Sequence, residues 1–341
     1  MAVRLKNIGD QVIVMTGATS GIGLSTARKA AALGARLVLS ARNEDALRAL
    51  CDELNGQGTE AILVVADVAD EAAVRRIADA AIERFGVIDT WMNIAGVGMF
   101  GKSEEVSRED MRRLFDVNFW GVVHGSLAAV PHLKARGGAL INVGSETSDR
   151  AAPLMGAYSA SKHAVKGFTD SLRMELEEEG APVSVTLVKP ASIDTMFLAH
   201  ARNYMEVEPR LPPPIYAPDI VADALLHAAR HPMRDIHVGS RARLMAAGAH
   251  HMPRVLDKGM ERFMVRLMRT DRPRRDGGEG SLYGPAADLQ ERIGSGGTTR
   301  ETSVYTSAVL HPRTTRAIVL GAGLALAALW QTRRRSRRLA Y

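Results

Sequence analysis

The sequence predicts an α/β fold built on a doubly wound, seven-stranded parallel sheet with helices on both faces. Three observations predict it. Short apolar runs alternate with longer stretches of helical periodicity up to about residue 240. The first apolar run passes directly into a glycine-rich turn with helical pattern behind it. The chain, 341 residues long and 46% hydrophobic, suffices for one sizeable domain with an appendage.

In chain order, strands are expected at Val12–Thr16, Arg36–Ser40, Glu60–Val65, Thr90–Ile94, Ala139–Gly144, Ser184–Lys189 and Asp235–Gly239. Helices are expected near Gly23–Leu33, Glu44–Leu54, Glu71–Phe85, Arg108–Ala129, Tyr158–Glu179 and Pro218–Arg230. Strict alternation of seven strands with six helices is the rhythm of βαβ units, and residues 1–240 are therefore read as one domain. From Arg241 that rhythm is lost. Residues 241–269 read as an amphipathic helical extension rich in Arg and Met. Residues 270–312, with DRPRRDGGEG and ERIGSGG, have the composition of a flexible, partly disordered linker. Residues 313–341 hold an apolar run, Ala317–Trp330, closed by the five arginines of 333–338.

Charge divides the chain in the same place. Residues 1–240 carry 25 basic and 30 acidic side chains, whereas 241–341 carry 19 and 8, so the net +6 belongs to the tail. No helix-turn-helix, zinc-finger or aromatic RNA motif accompanies those arginines, and nucleic acid is not an expected partner. The single cysteine, Cys51, reads as a packing residue; it permits no intramolecular disulfide or cysteine-based metal site and suits a reducing compartment. The opening MAVRLKNIGDQVIVMTG lacks the pattern of a signal peptide, which makes the cytoplasm the expected location. Fourteen helical residues span only about 21 Å against a hydrocarbon core of roughly 30 Å. A shallow membrane-surface contact is the favoured reading of the 317–330 run, against a short tail anchor or a helix packed on the domain.

The first strand runs into Thr16-Gly17-Ala18-Thr19-Ser20-Gly21-Ile22-Gly23, where glycines let backbone approach a pyrophosphate at a helix N-terminus. Further along, Tyr158 and Lys162 stand four residues apart and share a helix face. A phenol with a pKa near about 10 is a poor base at neutral pH. A neighbouring ammonium favours its phenolate.

With these motifs the sequence resembles the short-chain dehydrogenase/reductase family over roughly residues 8–240, matching TGxxxGxG at 16–23 and YxxxK at 158–162. The resemblance implies a Rossmann-type domain and an oxidoreductase that interconverts a carbonyl and an alcohol. It implies Tyr158 as general acid/base, Lys162 lowering its pKa and binding the nicotinamide ribose, Ser145 holding the substrate oxygen, and Asn118 in the proton relay. It further implies cofactor contacts at Gly17, Thr19, Ser20, Gly21, Ile22, Gly23, Asp67, Val68, Asn93, Ala95, Gly96, Pro190, Ile193 and Thr195. Asn93-Ile94-Ala95-Gly96 matches the family's NNAG motif at three of four positions, and Asn93 has a structural reading beside the functional one. Pro190-Ala191-Ser192-Ile193-Asp194-Thr195 follows PGxVxT with alanine in place of glycine. Where NAD-preferring members carry an acid after the second strand, this chain has Ala41-Arg42, and a guanidinium suits the 2′-phosphate of NADP(H).

The stretch Met196–Tyr216, with Phe197, Leu198, Tyr204 and Met205, occupies the family's substrate-covering position and suits a lipophilic carbonyl or alcohol. By resemblance the helices near 108–129 and 158–179 would pair chains into a homodimer or homotetramer. Competing readings are an epimerase or dehydratase of the same fold and a non-catalytic NADP(H)-binding, membrane-associated protein.

Overall fold

A computed structural model describes residues 3–274, 278–286, 289–294, 299–312 and 314–315. Seven strands form one parallel sheet: β1 (Val12–Thr16), β2 (Arg36–Ala41), β3 (Ala61–Val65), β4 (Thr90–Asn93), β5 (Gly138–Val143), β6 (Val183–Pro190) and β7 (Asp235–Val238). Their spatial order is β7-β6-β5-β4-β1-β2-β3. Val14 stands between Val38 and Trp91 at the centre, and the order reverses direction between β1 and β4. Such a reversal leaves a crevice at the strands' carboxyl ends.

Alternate residues of a strand face opposite sides. Ile13 and Met15 therefore join a core with Leu24 and Ala27 of α1 (Gly21–Ala32) and Leu47, Leu50 and Leu54 of α2 (Glu44–Gly56). Val12 and Val14 point the other way, toward Val74, Ile77 and Ala81 of α3 (Glu71–Phe85). Cys51 is a buried, free thiol packed in the first of these cores. Helix ends follow local chemistry: Asn43 and Asp70 cap α2 and α3 through their side chains, and left-handed Gly86 stops α3.

The expected helix over 108–129 is three pieces. α4 (Arg108–Phe115) passes through a π-helical turn, Asp116–Trp120, into α5 (Gly121–Arg136). The long α6 (Gly156–Glu178) and α7 (Pro218–Arg230) complete the two layers.

Most of 240–267 is helical. α8 (Ser240–His251) ends at Met252, Pro253 opens α9 (Pro253–Gly259), and a π-helical turn over Met260–Met264 leads into a short helix ending at Leu267. In place of a flexible linker, the described residues of 270–312 lie on the domain. Arg269–Pro273 pairs antiparallel with Val207–Pro209, and Thr299–Arg300 pairs parallel with Ile215–Tyr216. Leu282 is fully buried, and the Gly239 N–H donates to the Thr306 hydroxyl of α10 (Val304–Leu310). Burial of Leu282 and satisfied backbone groups offset the ordering cost that the segment's glycines impose. The apolar run 317–330 and the arginines of 333–338 lie outside the described residues. Among the described residues no helix is long and apolar enough to cross a membrane.

Candidate active site

A cavity of about 220 Å³ opens at the carboxyl ends of β1, β4, β5 and β6. Gly17, Ser20, Gly21, Ile22 and Gly23 line one end, followed by Ala95, Gly96, Ser145, Tyr158, Lys162, Pro190, Ile193 and Thr195. A second cavity, about 100 Å³, adjoins it and is lined by Thr19, Arg42, Asp67, Val68 and again Gly17, Ser20, Ala95 and Gly96.

The turn after β1 is built for close approach. Gly17 sits at φ +69°, and a Cβ on Gly23 would stand 1.9 Å from the Gly17 carbonyl oxygen. Only glycine allows that contact. The turn delivers the N-terminus of α1 to the cavity, where a dinucleotide pyrophosphate fits. In the second cavity Asp67 accepts from the Ala69 N–H and is ion-paired with Arg113. Arg42 donates to the Ser281 carbonyl at 2.5 Å and to the Leu282 carbonyl at 3.4 Å. The alanine at 191 costs no strain: only Leu154 and Leu289 have positive φ among the described non-glycine residues.

Tyr158 and Ser145 meet beyond β5. Ser145 begins the short 3-10 turn Glu146–Ser148, and its hydroxyl accepts from the Thr147 N–H at 3.1 Å. Tyr158 is buried, with Phe197 packed edge-on at 5.4 Å between ring centroids. Burial pushes its phenol up to about 12; the neighbouring Ser145 hydroxyl opposes this and the Glu146 charge adds to it. Lys162 follows one turn later on α6. Its ammonium donates to the Val143 carbonyl at 2.9 Å and lies 5.9 Å from the Tyr158 ring centroid. Burial lowers Lys162 to about 8.

The expected lowering of the Tyr158 pKa by Lys162 is thus not what dominates in the protein alone. Desolvation does, because both groups lie away from water and the ammonium is turned toward Val143.

Asn118 occupies the π-helical turn and lines neither cavity. Its side chain accepts from the Val97 N–H at 2.8 Å and donates to the Val97 carbonyl and the Ser161 hydroxyl, fixing the loop that carries Gly96. Lys162 Nζ and Asn118 Oδ1 flank that glycine, 3.5 and 3.3 Å from where a Cβ would stand. Asn93 is a correction to the expected cofactor contacts. Its amide accepts from the Trp91 indole at 2.8 Å and donates to Asn142 at 2.8 Å and Ser126 at 3.2 Å, a buried network between β4, β5 and α5.

Several lining residues had no sequence motif to announce them. Glu146, next to Ser145, is partly buried and paired with Arg241 of α8, whose Nε donates to it at 3.0 Å. Burial pushes the Glu146 carboxyl up against the pull of that guanidinium. Met245, Met260, Met264 and Met268 reach the cavity from beyond residue 240 beside Met155, Met196 and Leu211. The spacing of 260, 264 and 268, one helix face, is the signal that could have found three of them. Ser281, Pro285 and Ala286 line the second cavity from the segment read as a linker. Among the described residues no cluster of His, Cys, Asp and Glu is arranged to hold a metal.

The family profile described as short chain dehydrogenase matches residues 11–206. An uncharacterized oxidoreductase, YxnA, of Bacillus subtilis is 47% identical over 322 residues, 94% of this chain and 90% of its own. An 11-beta-hydroxysteroid dehydrogenase A of Sesamum indicum is 37% identical over 194 residues, 56% of this chain and 54% of that protein. Among solved structures, an alcohol dehydrogenase of the archaeon Thermococcus sibiricus, complexed with 5-hydroxy-NADP, superposes with a TM-score of 0.59 at 30% identity, covering 67% of this chain and 95% of that one.

Proposed function

The chain belongs to the short-chain dehydrogenase family of oxidoreductases, and from that premise we propose that it reduces a lipophilic carbonyl to an alcohol with NADPH. The observation that carries the proposal is the shared cavity, in which Ser145, Tyr158 and Lys162 stand beside a glycine turn and beneath a wall of methionines. When bound, NADPH supplies the hydride. Ser145 holds the carbonyl oxygen, and Tyr158 donates its proton to that oxygen as negative charge develops there. A phenol held near about 12 stays protonated at neutral pH, which suits reduction better than the reverse reaction. Lys162, ionised below about 8, keeps positive charge next to the phenol and offers an ammonium to the nicotinamide ribose. Asn118 acts by positioning the Val97 loop and, with it, Gly96.

Three features support NADP(H) over NAD(H). Arg42 lines the second cavity, no carboxylate replaces Ala41, and the charge of Asp67 is already matched by Arg113. The archaeal alcohol dehydrogenase is a complex with 5-hydroxy-NADP. For the substrate, the support is the apolar lining of Phe197, Leu211 and the methionines, together with a steroid dehydrogenase among the relatives.

The test is loss of NADPH absorbance over a panel of apolar ketones and aldehydes, repeated with NADH and with Tyr158→Phe. NADPH-dependent turnover is expected, falling by about a thousandfold in the variant with cofactor affinity kept. Equal kcat/KM with NADH rejects the cofactor preference; near-normal turnover of the variant rejects the role of Tyr158.

A further inference from the structure

Part of the second cavity's wall is made by the chain's own C-terminal part. Ser281, Pro285 and Ala286 line it together with Gly17, Thr19, Asp67 and Val68. This segment is latched to both sides of the dinucleotide site. On the β2 side, Arg42 donates to the Ser281 and Leu282 carbonyls, and the Asn43 amide donates to the Ala286 carbonyl at 2.9 Å. On the α4 side, Arg113 donates to the Leu282 carbonyl at 3.2 Å, and the Tyr283 hydroxyl donates to Asp110 at 2.8 Å. At the glycine turn, the Leu289 N–H donates to the Thr19 carbonyl at 2.7 Å, and the Gly21 N–H donates to the Gln290 carbonyl at 3.0 Å. Glu291 then pairs with Arg28 of α1 at 2.7 Å.

We propose that residues 278–286 and 289–291 form a retaining strap over the adenosine end of NADP(H), so that the cofactor enters and leaves only when the strap unlatches. The proposal rests on the cofactor reading above and adds binding residues to it. Two properties of the latch make it separable. Its holds on Arg42 and Arg113 are neutral carbonyl oxygens, weaker acceptors for a guanidinium than a phosphate. Its turn at Leu289, at φ +67°, keeps a leucine in the left-handed region that favours glycine. A 2′-phosphate in the second cavity would draw Arg42 from the strap carbonyls, while the anchors at Leu282, Tyr283 and Glu291 hold the wall in place.

The experiment is stopped-flow fluorescence of NADPH association and dissociation for the full chain, wild type against Tyr283→Phe and Leu282→Ala. Both rate constants are expected to rise by about tenfold in each variant, the loss of one anchor being worth that much. Saturating NADPH is also expected to slow tryptic cleavage after Arg292 in the wild type. Tyr283→Phe keeps the ring of a half-exposed side chain, and an unchanged thermal midpoint shows that its fold is kept. Unchanged rates in both variants, or cleavage indifferent to NADPH, overturn the strap while NADPH still binds. Absence of NADPH binding to the wild type rejects the cofactor reading instead.

Discussion

Tyr158 and Lys162 share a face of α6, yet the lysine ammonium is spent on the Val143 carbonyl and both groups answer chiefly to burial. The consequence is a pH dependence. Burial lowers Lys162, so its ammonium is present below about 8 and lost above it. The kcat/KM for reduction is expected to fall about tenfold per pH unit above that point, and the permanently charged Lys162→Arg to lose this limb. A pH–rate profile from neutral to alkaline checks it, and a flat wild-type profile rejects it. Elsewhere, Asp149 meets the buried Lys189 at 2.9 Å and His237 at 3.2 Å. Burial raises its carboxyl, but hydrogen bonds from His237 and Lys189 outweigh this and hold it at about 2, below the ordinary 3.8. A depressed carboxylate stabilises the fold above its unfolded pKa and loses that contribution as pH falls through its folded one. Roughly 2 kcal/mol should therefore disappear between about pH 4 and pH 2. Urea unfolding across that window should show a slope that Asp149→Asn lacks, and the variant should be about 3 kcal/mol less stable at pH 7. The pairing of Tyr158 with Lys162 was legible in the sequence because a spacing of four marks one helix face, and Ser145 was legible only through the family resemblance. Glu146 was not, since only the approach of Arg241, 95 positions away, marks it as part of the site.

At the level of elements, the strands were legible almost to the residue because a parallel strand is covered on both faces and reads as an apolar run. The division of the 108–136 helix was not. A π-helical turn keeps helical composition while inserting one residue per turn, and periodicity passes over it. That turn aims Asn118 at Val97. The glycine turn after β1 was legible as a motif, and the structure adds its tolerance. Gly23→Ala should weaken NADPH binding about a hundredfold, roughly 2.7 kcal/mol, because the turn must open to accept a Cβ 1.9 Å from the Gly17 oxygen. A fluorescence titration measures this; an affinity within threefold of wild type rejects it.

For the whole molecule, Trp120, Leu127 and Met174 are 48, 55 and 58% exposed on the two helices that the family resemblance assigns to assembly. We propose that these exposed apolar side chains meet a second copy of the chain. Light scattering is expected to give a dimer or tetramer for the wild type and a monomer for Trp120→Glu; the same mass for both rejects this face. The placement of the described residues of 270–312 was hidden from sequence reading because Arg42 and Arg113, which hold the Leu282 carbonyl, and Asp110, which accepts from Tyr283, are remote in the chain, and composition records none of those contacts.

The methionines at 245, 260, 264 and 268 reach the cavity from outside the strand-and-helix repeat that carries Ser145, Tyr158 and Lys162. Part of the cavity's apolar wall thus comes from a different stretch of chain than those three side chains. Substitutions after residue 240 can reshape that part of the wall while leaving Ser145, Tyr158 and Lys162 as they are.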